Sequence, residues 1–272
     1  IDVAFDREHM KVNTFSGQMG DGTYSLTGDT LITGGGLKQY NFAFNADKLF
    51  IDSSFYRGPF SAQFTFSEGK FFNRDMPKLA GSMNIEKSTI SFPGIPDSST
   101  SFLPEMLLDV GINVGNNVRF YKSMLYDMDI GGSIHFGGTT EHPLPSGEIN
   151  VLRGTVEYLR TVFKIREGNA YFNQLGSFMP SITFKGDANL SRVKVNLSIE
   201  GPVGNMQFLL TSEPQMSQEE IIKLLTFGNA DRQGDGVDSS DLTQLATVGL
   251  QMGFLNEIEN FMRYTLQLDE FN

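Results

Sequence analysis

Hydrophobic residues recur at every second position over much of the 272-residue chain. Phe42, Phe44 and Ala46 alternate with Asn41, Asn45 and Asp47. Phe60, Ala62, Phe64 and Phe66 alternate with Ser61, Gln63, Thr65 and Ser67. Leu108, Val110, Ile112 and Val114 alternate with Asp109, Gly111, Asn113 and Gly115. Met128, Ile130, Ile134 and Phe136 share a parity across Gly132. Val193, Val195, Leu197 and Ile199 alternate with Lys194, Asn196, Ser198 and Glu200, and Met206, Phe208 and Leu210 close the series. Successive side chains of a strand point to opposite faces, so each segment predicts a β-strand with one apolar and one polar face. The breaks favour reversal or irregular backbone: "GGG" at 34–36, "PG" at 93–94, "GNN" at 115–117, "GG" at 137–138 and "GPVGN" at 201–205. Short strands between such breaks predict an antiparallel meander rather than βαβ units. The stretch 93–106, "PGIPDSSTSFLPEM", is the most loop-like and marks a candidate internal boundary.

The pattern changes after Pro214. Ser217 stands as an N-cap with Glu220 three residues on, the spacing of a capping box. Ile221, Ile222, Leu224 and Leu225 then give a helical face, and Gly228 ends it. A second helix is predicted over about 240–262, with Leu242, Leu245, Ile258 and Phe261 on its apolar side, although Gly249 and Gly253 weaken it. Tyr264, Leu266 and Leu268 alternate again, as if a strand begins there and the sequence stops inside it. The expected organisation is a β unit over 1–214 and a helical C-terminal segment over 215–272.

Composition narrows the function classes. Lys plus Arg number 21 and Asp plus Glu 32, a net charge of −11. Phosphate contacts need Lys and Arg, so nucleic acid is not an expected partner. The absence of cysteine removes disulfides, thiolate catalysis and Cys-ligated zinc. Trp is absent and Phe numbers 24, so Phe carries most of the aromatic content. The opening "IDVAFDREHM" has neither the basic start nor the apolar core of a signal peptide, and lacks an initiator Met, which reads as a piece of something longer. No run of about 18 apolar residues is present to span a membrane as a helix.

Candidate chemistry is sparse. His9, His135 and His142 are scattered, and His135 falls on the polar parity of its strand. "SRVK" at 191–194 has the Ser-x-x-Lys spacing of penicillin-interacting enzymes, but in a turn-to-strand setting rather than at a helix start. "DRQGDGVDSSDL" at 231–242 departs from a calcium loop at Gln233 and at Leu242, where a bidentate Glu is required. No catalytic residue, metal site or cofactor is expected. The collective feature is stronger: many strands carry an apolar face, and only two helices are available to cover them. Such a face packs on a second sheet, closes as a barrel, curls upon itself, or stays open for an apolar ligand.

"GEINVLRGTVEYLRTVFKIREGNAYFN" resembles the C-terminal domain of the TamB family, in the AsmA-like superfamily, through Gly147, Arg153–Gly154, Gly168 and Phe172. The likeness continues through the Pro180 strand, "IEG" at 199–201, the Ser212–Pro214 turn and the helix "SQEEIIKLLTFG". It is firm over 146–262, while before that only the β pattern agrees. The resemblance implies a mainly β, taco-shaped groove with an apolar interior. It implies an inner-membrane anchor outside this sequence, a periplasmic location, and work in phospholipid transport and outer-membrane protein assembly. The implied partners are phospholipid and a BamA-type barrel such as TamA, engaged through C-terminal strands beyond this sequence.

Parity and resemblance together nominate a lipid-lining set: Phe42, Phe44, Phe64, Phe66, Val110, Ile112, Val114, Ile130, Ile134, Phe136, Val193, Val195, Leu197, Ile199 and Phe208. The expected function is a bridge-like lipid conduit without enzymatic activity. A periplasmic scaffold that assists β-barrel insertion by strand augmentation is the alternative. A β-sandwich or β-solenoid enzyme is weaker, because no carboxylate pair stands out.

Overall fold

The computed structural model describes residues 1–34, 36–91, 104–159, 161–173, 179–203 and 205–227. The strands are β1 (Asp2–Asp6), β2 (His9–Met19), β3 (Gly22–Thr33), β4 (Gly36–Asp52), β5 (Tyr56–Phe71), β6 (Arg74–Ile85), β7 (Ser88–Ile90), β8 (Leu107–Lys122), β9 (Tyr126–Gly138), β10 (Pro143–Tyr158), β11 (Thr161–Phe172), β12 (Ser181–Leu190), β13 (Val193–Pro202) and β14 (Gln207–Glu213). One helix, α1 (Gln218–Phe227), follows them. The second predicted helix, the last predicted strand and the loop at 231–242 lie outside the described residues.

All fourteen strands belong to one elongated, curled sheet. Neighbours are consecutive and antiparallel from β1 to β6 and again from β8 to β14. Between these blocks the sheet departs from a uniform meander. β6 and β8 pair in parallel, and the short β7 pairs antiparallel with β5 and parallel with β8. Parallel neighbours cannot be joined by a tight turn. The connection that joins β7 to β8 contains the loop-like stretch 93–106, most of which lies outside the described residues.

The ladder is interrupted by bulges. Register shifts fall between Ala46 and Leu49 on β4, between Val114 and Val118 on β8, and between Ile165 and Glu167 on β11. An extra residue bends a strand and increases its twist, which is how a broad sheet acquires curl. "GNN" at 115–117 is such an irregularity inside β8 and not a reversal: Asn117 has φ +57° and the strand continues to Lys122. Glycine does related work at Gly81, where φ is +138° and a Cβ would overlap the Gln63 carbonyl oxygen on β5. That backbone region is open essentially to glycine alone.

The helix forms as its sequence predicts. The Ser217 hydroxyl accepts the Glu220 N–H at 3.3 Å, and the Glu220 carboxylate accepts the Ser217 N–H at 2.8 Å. These are the two reciprocal bonds of a capping box. The backbone donor from Ser217 is the main reason the Glu220 carboxyl lies below its usual range. Ile221, Ile222 and Leu225 are buried and join a core cluster with Phe163, Val195, Leu197 and Leu210. Burying each such side chain contributes about 1.5–3 kcal/mol, which holds so short a helix in place.

Candidate functional site

Residues opposite each other in a ladder project from the same face, so register converts the sequence pattern into rungs. Leu26, Phe44, Phe64, Gly81, Val110 and Phe136 are successive partners across β3, β4, β5, β6, β8 and β9. The adjacent rung is Ala46, Ala62, Met83, Ile112 and Ile134. Phe42 pairs with Phe66, whose ring stacks on Tyr40 with centroids 5.1 Å apart. At the C-terminal end Phe184, Ile199 and Phe208 form one rung, and Gly186, Leu197 and Leu210 another.

All fifteen nominated residues lie on this one face. Val110, Val114, Ile130, Val195 and Leu197 are buried, and the other ten are half-buried. Their neighbours Asn41, Asn45, Thr65, Asn113 and Lys194 are exposed. The sequence pattern also missed members of the face. Phe163 and Ile165 carry the same alternation around Lys164, and Val118 stands just past the irregular "GNN".

The face has two environments. Around α1 it is closed: Phe163 and Val195 are fully buried, Leu197 is 1% exposed, and α1 packs into the same cluster. The Thr161 hydroxyl donates to the Leu225 carbonyl at 3.5 Å, tying the end of α1 to the start of β11. Val195 and Leu197 therefore sit in a packed core. From β3 to β6 the cover is looser. Ala46, Leu49 and Ala62 form a separate buried centre there, and Phe44, Phe60 and Phe64 flank it half-buried.

The opposite face is ionic over its C-terminal half. Arg119 donates two 2.6 Å bonds to the Asp127 carboxylate, and its guanidinium lies 4.3 Å from the centre of the Tyr121 ring. Arg153 bridges Asp129 at 2.5 Å, Lys78 bridges Asp109 at 2.8 Å and Lys185 bridges Glu167 at 3.1 Å. Arg166 pairs with the buried Asp187. The donated hydrogen bonds hold the carboxyls of Asp109, Asp127 and Asp187 below their ordinary range. On the covered side, burial pushes the Tyr158 hydroxyl up to about 12. His135 lies on the exposed face, 3.5 Å from Asp109. Among the described residues, no group of His, Asp and Glu is arranged to hold a metal ion.

A β face of repeated apolar rungs, backed by an ionic face and ending in a capped helix, has a match among known families. The family described as the TamB C-terminal domain matches residues 13–272. The chain belongs to the TamB C-terminal domain family. TamB membership makes this a protein of the diderm bacterial envelope, with a role in outer-membrane biogenesis and a link to the outer-membrane assembly machinery. No curated protein matches the chain. No helix among the described residues is long and apolar enough to cross a membrane.

Proposed function

We propose that the apolar face of the sheet carries phospholipid acyl chains, and that this non-enzymatic transfer is the chain's part in outer-membrane biogenesis. The supporting observation is that each strand from β4 to β9 in the two rungs keeps a half-buried large side chain on the apolar face: Phe44, Phe64, Met83, Ile112, Ile134 and Phe136. Each CH₂ group moved from water to such a surface contributes about 0.8 kcal/mol. Successive rungs offer similar contacts, so an acyl chain moves along them without a deep trap. A periplasmic location, an inner-membrane anchor outside this sequence and docking to a BamA-type barrel belong to the same proposal. They rest on the family resemblance.

The test is site-specific photo-crosslinking in cells. A photoreactive residue at Phe44, Phe64 or Ile134 should capture phospholipid, and one at Asn45, Thr65 or His135 should not. Lipid adducts at both sets, or at neither, would defeat the conduit. The outer edge of β1, unpaired among the described residues and fully exposed, supports a second reading in which client strands add to the sheet. Adducts to unfolded barrel proteins at β1, with none to lipid at Phe64, would favour it.

A further inference from the structure

The polar face of the sheet changes character along its length. Over the C-terminal half it is a field of ion pairs, from Lys78–Asp109 to Lys185–Glu167. Between β2 and β6 the same face keeps charges at Lys11, Asp29 and Lys78, but the neighbouring row carries none. Ser16, Ser25, Asn45, Gln63 and Ser82 are successive ladder partners across β2, β3, β4, β5 and β6. They line a concave cavity of about 780 Å³. Asp47 is its one charged group among the described residues, with no Lys, Arg or His in the lining; Tyr24, Ala46 and Ala62 border it from the same strands, their side chains being on the apolar face. Asp47 and Ser61 are engaged with each other at 3.2 Å, and Asn84 accepts from Asn113 at 2.9 Å. The five residues of the row make no side-chain hydrogen bond within the described protein.

The lining chemistry selects among ligands. Phosphate and carboxylate groups would meet Asp47 and no cation. A protein partner anchored by apolar side chains would find no large aliphatic residue to pack on. Hydroxyls and carboxamides each offer donors and acceptors together, which is what a neutral polyol requires. The row also repeats: neighbouring strands lie about 4.8 Å apart, so five strands present hydrogen-bonding groups at regular steps over about 19 Å. A repeating row fits a linear, repeating ligand.

The geometry points to a binding site for an uncharged glycan strand on this row, separate from the apolar face and independent of its lipid reading. The site holds the sheet against a polysaccharide of the envelope through many individually weak hydrogen bonds. Two sources share this chemistry, the amino-sugar backbone of the cell wall and a plain hexose polymer.

Retention of the purified chain on isolated cell-wall sacculi and on immobilised dextrin tests the site and separates the two sources. The chain should be retained by at least one of them, and retention should survive about 0.5 M salt, because no charge pairing is involved. The double variant Asn45→Ala/Gln63→Ala removes two exposed, unbonded amides, so its unfolding midpoint should match the parent. Its retention should fall about tenfold or more through the loss of several hydrogen bonds. Lys185→Ala, on the ionic half of the same face, should leave retention unchanged. Retention by neither glycan, retention abolished by salt, or equal retention of the double variant would overturn the site.

Discussion

Ala46 and Leu49 lie three residues apart on β4, and both are buried on the same face. Strict alternation would place them on opposite faces. The bulge at Asp47 and Lys48 resolves the conflict. Lys48 adopts φ +49° and donates its N–H to the Ser61 hydroxyl at 3.0 Å, and the Ser61 hydroxyl donates to the Asp47 carboxylate. Deleting Lys48 would leave Ala46 and Leu49 two apart, so plain alternation keeps Leu49 on the apolar face; losing the bulge and its bond to Ser61 should cost about 1 kcal/mol in denaturant titrations. Lys48→Gly keeps the bulge and suits its backbone, so it should stay within about 1 kcal/mol of the parent. A loss of several kcal/mol on deletion would show that the bulge's own bend and bonds, and not the parity of Leu49, hold this part of the sheet.

Arginine placed at two apolar positions should give opposite outcomes. Leu197 is 1% exposed in the cluster that contains α1, so Leu197→Arg buries an unpaired charge and should cost several kcal/mol or abolish folding. Phe64 is half-buried where the face is loosely covered, so Phe64→Arg should fold. Circular dichroism and denaturant midpoints read the first contrast. Lipid crosslinking from a reporter at Ile134 reads the second: Phe64→Arg should reduce it. Undiminished crosslinking in a folded Phe64→Arg protein would count against passage along this row.

Acid should destabilise the sheet through its ion pairs. Asp109, Asp127 and Asp187 have folded-state values below their unfolded ones. The stability they contribute is complete above the unfolded carboxyl value and is lost as pH falls through the folded values. The midpoint for unfolding should therefore drop from about pH 4 downward, and Asp187→Asn should flatten that slope. Tyr158 has the opposite arrangement, a folded value raised to about 12. Its contribution is complete below the unfolded value near 10 and fades as pH climbs toward 12. Tyr158→Phe should remove that alkaline limb, and an unchanged limb would assign it to another group.

Much of this was legible because the signals are local. Period-two alternation assigned Phe44, Ile112 and Ile199 to one face, and Ser217 with Glu220 marked the start of α1. Bulges were less legible, since "GNN" inside β8 looks like the residues of a turn and differs only in what its neighbours pair with. The parallel pairing of β6 with β8 is a choice between distant strands and leaves no mark on either one. The difference between Phe64 and Leu197 is also non-local. Both follow the same alternation, and only the packing of α1 against the C-terminal strands closes one environment more than the other.

The seam at β6 and β8 sets the order in which the chain can assemble. Most other long neighbouring strands meet across a short reversal, as Phe71 meets Arg74, and the ladder then extends by one residue pair at a time. Lys78 and Leu107 meet without such a starting point, across the whole of β7 and the connection after it. Closing that loop carries an entropy that grows as about (3/2)RT ln n, met before any bond of the seam returns it. In kinetic terms the sheet is two zippers, β1–β6 and β8–β14, each able to close from its own turns, with one slow registration step between them.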